Sequence, residues 1–154
     1  MEYTLHATTV VDAPPALVFE RITDIDRLPD WNVEIPRVVE RPAALGVGVE
    51  WVVEIHAMKS HWNSRSRVTE LDPERGRFCY RSQTDDGNPS HADWRWQLSP
   101  GPVGTRVDVE ADIRPRTFWR RYLLSGLRRP VLARAMRRSL RVLHDQVSTQ
   151  REEA

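Results

Sequence analysis

The chain has 154 residues, 29% of them charged and 40% apolar, with a formal net charge of +1. That length fits one domain, residues 1–154, with enough side chains for a core of its own. No apolar run approaches the roughly 20 residues that a membrane helix needs.

Tyr3, Leu5, Ala7, Thr9 and Val11 alternate with Thr4, His6, Thr8 and Val10, which is the period of a strand. Pro14-Pro15 ends that strand and can open a helix, because the first helical turn leaves its N–H groups unpaired anyway. Val18, Phe19 and Ile22 then share the buried side of this helix, and Pro29 is expected to end the helical pair. Pro36 interrupts Val33 to Arg41 and places that segment at a sheet edge or a bulge. Across Gly48 to Met58, the residues Trp51, Val53 and Ile55 alternate with Glu50, Glu54 and His56. Trp62 to Leu71 reads as the next strand and runs into Asp72-Pro73-Glu74-Arg75-Gly76, a hairpin turn with a closing glycine. Phe78 and Tyr80 alternate with Arg77, Cys79 and Arg81 until Asp85-Asp86-Gly87-Asn88-Pro89 breaks the chain. Ala92, Trp94, Trp96 and Leu98 form one face of a strand, and after Pro100-Gly101-Pro102 so do Val107, Val109, Ala111 and Ile113. From Thr117 the period lengthens. Leu132, Met136, Leu140, Leu143 and Val147 make the stripe of an amphipathic helix, with Arg134, Arg137, Arg138 and Arg141 on its other side. Ser125-Gly126 and Pro130 are expected to kink this helix or divide it in two.

Several of these segments carry a common signature. Thr9-Val10-Val11-Asp12-Ala13-Pro14-Pro15 is followed by Val18-Phe19 and by Thr23-Asp24-Ile25-Asp26-Arg27-Leu28-Pro29-Asp30-Trp31-Asn32. Val68-Thr69-Glu70-Leu71-Asp72-Pro73, the pair Trp94 and Trp96, and Gly104-Thr105-Arg106-Val107 come later in the same order. In order and spacing the chain resembles the polyketide cyclase/dehydrase and lipid transport (SRPBCC) superfamily, related to START domains and the birch-pollen allergen. The resemblance implies an α+β helix-grip fold. A curved antiparallel sheet of about seven strands would wrap a long C-terminal helix, with two short helices after the first strand and a cavity inside. It also implies a hydrophobic or aromatic small-molecule ligand that is lipid-, polyketide- or quinone-like. The alternative is a polyketide aromatase/cyclase or dehydratase that works mainly by positioning a reactive chain. A second alternative is an interaction module, since relatives similar to coenzyme Q-binding proteins and ribosome-associating toxins act on large partners.

If the apolar strand faces look toward the long helix, Trp51, Trp62, Tyr80, Trp94 and Trp96 point inward. Phe118, Trp119 or Tyr122 would join them from the helix start. Such aromatics bury large areas, stack on flat ligands and offer a few directional polar contacts. Core filling is the ordinary fate of any single tryptophan, but six in this length are many. The expected ligand set is Trp51, Trp62, Tyr80, Trp94, Trp96, Phe118 and Tyr122. For acid–base work the candidates are His61 and His91, near a cavity mouth, and Tyr80. His56 shares the outer face with Glu50 and Glu54, and His6 and His144 read as surface positions. Most turn histidines are simply solvated.

Other chemistries lack their residues. Gly46-Val47-Gly48 runs into a strand and so is no dinucleotide fingerprint, and no metal spacing or cofactor motif is present. One cysteine, Cys79, cannot close an internal disulfide, and Met1-Glu2-Tyr3-Thr4 has no leader character. Both features fit a cytoplasmic protein. Charge is unevenly spread: residues 1–60 hold ten acids and five bases, whereas residues 114–151 hold eleven arginines and the single acid Asp145. The ordinary meaning of Arg134, Arg137, Arg138 and Arg141 is a solvated helix face. The sharper expectation is docking on an anionic membrane surface. Nucleic acid is disfavoured, because no aromatics interleave with these arginines.

Overall fold

Alternating burial shapes the first strand, β1 (Tyr3–Val11), in which Tyr3, Leu5, Ala7 and Val11 are buried while Thr4, His6, Thr8 and Val10 are exposed. The computed structural model describes residues 2–116 and 125–153, the side chains of 125–127 and 149–153 excepted. Pro15 opens α1 (Pro15–Thr23), which buries Val18, Phe19 and Ile22 together with Arg21. A short 3-10 turn (Ile25–Arg27) leads into α2 (Leu28–Trp31). Pro29 does not end the helical pair as expected. It sits in the first turn of α2, where the N–H it lacks would have had no helical partner. The helix ends instead at Trp31, with Asn32 already extended at φ −82° and ψ 112°.

Six more strands follow: β2 (Arg37–Glu40), β3 (Glu50–Ala57), β4 (Ser60–Asp72), β5 (Arg77–Thr84), β6 (His91–Gly101) and β7 (Gly104–Arg114). With β1 they form one seven-stranded antiparallel sheet in the order β1-β7-β6-β5-β4-β3-β2. β2 lies at an edge and is bulged between Val38 and Glu40, both consequences that Pro36 implied. The bend between β4 and β5 needs its glycine twice over. Gly76 has φ 67°, and a Cβ there would lie 2.7 Å from the Leu98 carbonyl oxygen.

α3 (Ser125–Glu153) buries Leu132, Met136, Leu140, Leu143 and Val147 on one stripe. It runs unbroken through Pro130, so the expected division into two segments is not found among the described residues. Pro130 lacks an N–H and so forfeits one bond inside the helix. Polar ties hold α3 against the rest of the molecule. Ser139 Oγ accepts from the Val33 N–H at 3.0 Å, and Gln146 Oε1 accepts from Arg21 Nη1 at 3.1 Å. His144, expected at the surface, is half-buried with its Nδ1 2.9 Å from the Val10 carbonyl. The whole is an α+β helix-grip fold. No described helix is long and apolar enough to cross a membrane.

Candidate functional site

Strand register explains why a space opens between the sheet and the helices. On the concave face Trp51 pairs with Ser66, Ser66 with Ser82, Ser82 with Ala92, and Ala92 with Ile113. Three small side chains in adjacent positions leave volume that Ile22, Leu28 and Leu132 approach from the helical side without filling. The result is a cavity of about 650 Å³, a size ordinary for small-molecule sites.

Trp51, Trp62, Tyr80, Trp94 and Trp96 all line this cavity, joined by Phe78 and Trp31. Phe118 and Tyr122, like Trp119, lie outside the described residues. The rings form a continuous wall. Trp31 meets Trp96 edge-on at 5.5 Å between ring centres, Trp51 meets Tyr80 at 5.0 Å, and Tyr80 stacks with Trp94 at 6.1 Å. Trp51 and Trp96 are buried, whereas Trp62 and Trp94 keep partly open surfaces.

Polar atoms are few and fall into two kinds. Some are satisfied within the protein: Trp94 Nε1 donates to Ser82 Oγ at 3.1 Å, and Trp96 Nε1 donates to the Tyr80 hydroxyl at 3.4 Å. Burial pushes the Tyr80 phenol up to about 12, with the bond from Trp96 opposing that shift, so Tyr80 is neutral at neutral pH. Two enclosed atoms of residues that line the cavity, Trp31 Nε1 and Tyr3 Oη, have no hydrogen-bond partner among the described residues; the atoms themselves are covered by packing. Burial also raises the Tyr3 phenol, the positive charges of Arg128 and Arg129 pulling the other way.

At one side of the cavity Arg128, from α3, meets Glu34, from the loop between α2 and β2. The pair is bidentate, with Nη1 and Nη2 donating to Oε2 and Oε1 at 2.5 and 2.7 Å. Side-chain exposures of 18% and 11% make this a largely desolvated pair rather than a surface one. The loop fixes Glu34 from both sides: its N–H donates to Asn32 Oδ1, and its carbonyl accepts from the His56 N–H. Arg128 also lies 5.7 Å from the Trp62 ring centre.

His61 and His91 line the cavity as well. His61 is exposed at the rim, its ring 5.4 Å from that of His56. His91 Nδ1 lies 3.3 Å from the Pro89 carbonyl, and its Nε2 is 4.0 Å from Asp93. No hydrogen bond joins either histidine to Tyr80 among the described residues, so the three candidates do not form one constellation. His56 is exposed beside Glu54, on the outer side where strand parity put it.

Sequence reasoning missed the polar lining. Ser64 and Ser66 keep the phase of Val68, and Ser82 and Thr84 keep the phase of Phe78 and Tyr80; hydroxyls in an apolar register were the available signal. Glu34 and Arg128 are 94 positions apart and carry no such signal. Arg134, Arg137, Arg138 and Arg141 are exposed along α3.

The family model for polyketide cyclase/dehydrase and lipid transport proteins matches residues 3–148. Sequence comparison with curated proteins gave no significant match. Among solved structures, the chain is similar to the ZhuI aromatase/cyclase from a Streptomyces species, with a TM-score of 0.77, 19% identity, and coverage of 96% of this chain and 94% of that one. It is similar to TTHA0849 from Thermus thermophilus, with a TM-score of 0.76, 21% identity, and coverage of 96% and 99%. It is also similar to Ara h 8.0201, with a TM-score of 0.72, 14% identity, and coverage of 97% and 99%. At these identities the likeness is one of fold.

Proposed function

Because the chain belongs to the polyketide cyclase/dehydrase and lipid transport family, we propose that it binds a hydrophobic or aromatic small molecule between its sheet and α3. One observation carries this reading. A cavity of about 650 Å³ lies between the sheet and the helices, and the small side chains of Ser66, Ser82 and Ala92 leave it unfilled. The aromatic wall of Trp51, Trp62, Tyr80, Trp94 and Trp96 would supply the apolar contact area. An exposed arginine face on α3 suits a carrier that exchanges its cargo at an anionic membrane surface.

The test is titration with the neutral fluorophore N-phenyl-1-naphthylamine. Saturable binding at one site is expected, and it should vanish in Ala92→Trp, which fills the cavity floor, while the unfolding midpoint is kept. Absence of saturable binding, or binding indifferent to Ala92→Trp, would overturn the reading.

Tyr80 favours a second reading, cyclase or dehydratase chemistry of the kind named for the structurally similar aromatase/cyclase. Its hydroxyl accepts from Trp96 and is held neutral, so its own proton is available to a ligand carbonyl. Tyr80→Phe should then abolish turnover of a poly-β-carbonyl substrate while fluorophore binding persists.

A further inference from the structure

Among the described residues, the full charges that line the cavity are Glu34 and Arg128, and each neutralises the other. We infer that Glu34 is a specificity residue: by holding Nη1 and Nη2 of Arg128 and cancelling its charge, it makes the cavity select uncharged, oxygen-bearing ligands and reject their carboxylates. The inference rests on the binding reading above and adds the charge of the ligand to it.

The argument is electrostatic. An arginine beside an aromatic cavity is the ordinary anchor for a carboxylate, because its planar fork matches two carboxylate oxygens. Here two of its five N–H donors, one on each Nη, are taken, with bonds of 2.5 and 2.7 Å to an acid held in place by its own backbone bonds. An incoming carboxylate would have to displace Glu34, which would strand that acid in a largely buried place, or share a guanidinium whose charge Glu34 already neutralises. Either route loses hydration without replacing it. A neutral carbonyl or hydroxyl faces neither problem. Neutral polar side chains that line the cavity, Ser66 and Ser82 among them, can meet it.

Methyl 2-naphthoate and 2-naphthoate share a ring system and a carbonyl and differ in charge. Their affinities can be read from quenching of tryptophan fluorescence at pH 8, where the free acid is ionised. The wild-type protein is expected to bind the ester at least about ten-fold more tightly than the anion. Glu34→Gln frees the Arg128 fork, so affinity for the anion should rise at least about ten-fold while that for the ester changes little. The double variant Glu34→Gln, Arg128→Met removes both charges and should restore the preference for the ester, which guards against a fold defect in the single variant. Equal binding of the two probes by the wild type, or a preference for the anion, would overturn the inference and leave the cavity reading standing. Failure of Glu34→Gln to gain anion affinity in a folded protein would overturn it too. If the wild type binds neither probe, the cavity reading itself fails and takes this inference with it.

Discussion

The two faces of the sheet are built from alternate residues of the same strands, yet they treat polar groups in opposite ways. On the convex face charges answer one another across the strands. Arg65 reaches Asp85 at 2.8 Å, Glu50 at 3.2 Å and Glu40 at 3.3 Å. Arg81 holds Asp93 through two bonds, of 2.7 and 3.1 Å, and Arg95 bridges Asp112 at 2.9 Å and Glu110 at 3.2 Å. Such partly exposed pairs are individually weak, about 0–1 kcal/mol each, but they leave little unsatisfied. The concave face carries aromatics, a row of hydroxyls and, in Tyr3 Oη, a buried atom with no partner among the described residues; Trp31 Nε1, on α2 above it, is another. A face that completes its own hydrogen bonding has little left for a ligand. The incomplete face is where a ligand would be held.

The sharpest contrast should come from β5, where Phe78 points inward and Arg81 outward. Phe78 is 2% exposed and packs against Trp51 and Tyr80. Phe78→Ala should cost about 3–5 kcal/mol in urea unfolding, against about 0–1 kcal/mol for Arg81→Ala. Comparable losses from the two would break the comparison.

Next in size is a difference in pH response. Tyr80 titrates near 10 when unfolded and about 12 when folded. The unfolded state therefore ionises first, so this stabilisation is intact below pH 10 and is lost as pH rises through 12, by roughly 2–3 kcal/mol. The convex face should fail at the other end. Hydrogen bonds from Arg95 and Thr4 lower the Asp112 carboxyl, and the bond from Arg77 lowers that of Glu70. Their contribution is present above the ordinary carboxylate range and is lost as pH falls through it. Tyr80→Phe should shrink the alkaline loss in thermal unfolding and leave the acid limb alone. A variant that moves both limbs, or neither, would show that the faces are not separable.

How much of this was legible beforehand follows the same division. Strand parity alone put Trp51, Trp94 and Trp96 inward and His56 outward, because a side-chain period of two leaves no other choice once one face is apolar. The turn at Gly76 and the edge position of β2 followed from local chemistry at Pro73, Gly76 and Pro36. Pro29 misled because one residue type both stops a helix and starts one; which applies depends on whether the next turn continues. The Glu34–Arg128 pair was invisible for a different reason. It joins a loop to a helix across the fold, and neither residue sits in a pattern that marks it as buried. Ser66 and Ser82 stood in plain register, yet hydroxyls in an apolar phase can equally fill a tight core as line a space. Only the adjacency of Ser66, Ser82 and Ala92 across three strands separates the two outcomes.

The smallest expected effect on stability is the most telling. Trp31→Phe keeps an aromatic ring against Trp96 and removes an indole N–H that has no partner among the described residues. Deleting a satisfied buried donor leaves its acceptor unpaired and destabilises; deleting an unsatisfied one removes a standing cost. Stability should therefore change by less than about 1 kcal/mol, the lost ring area and the relieved donor opposing each other. Affinity for methyl 2-naphthoate should stay within about two-fold, because this enclosed N–H makes no hydrogen bond to a molecule in the cavity. A large loss of stability would mean that the N–H is satisfied in the folded protein, by water or by chain outside the described residues. A several-fold loss of affinity in a stable variant would mean that the packing over this N–H opens and a ligand oxygen reaches it.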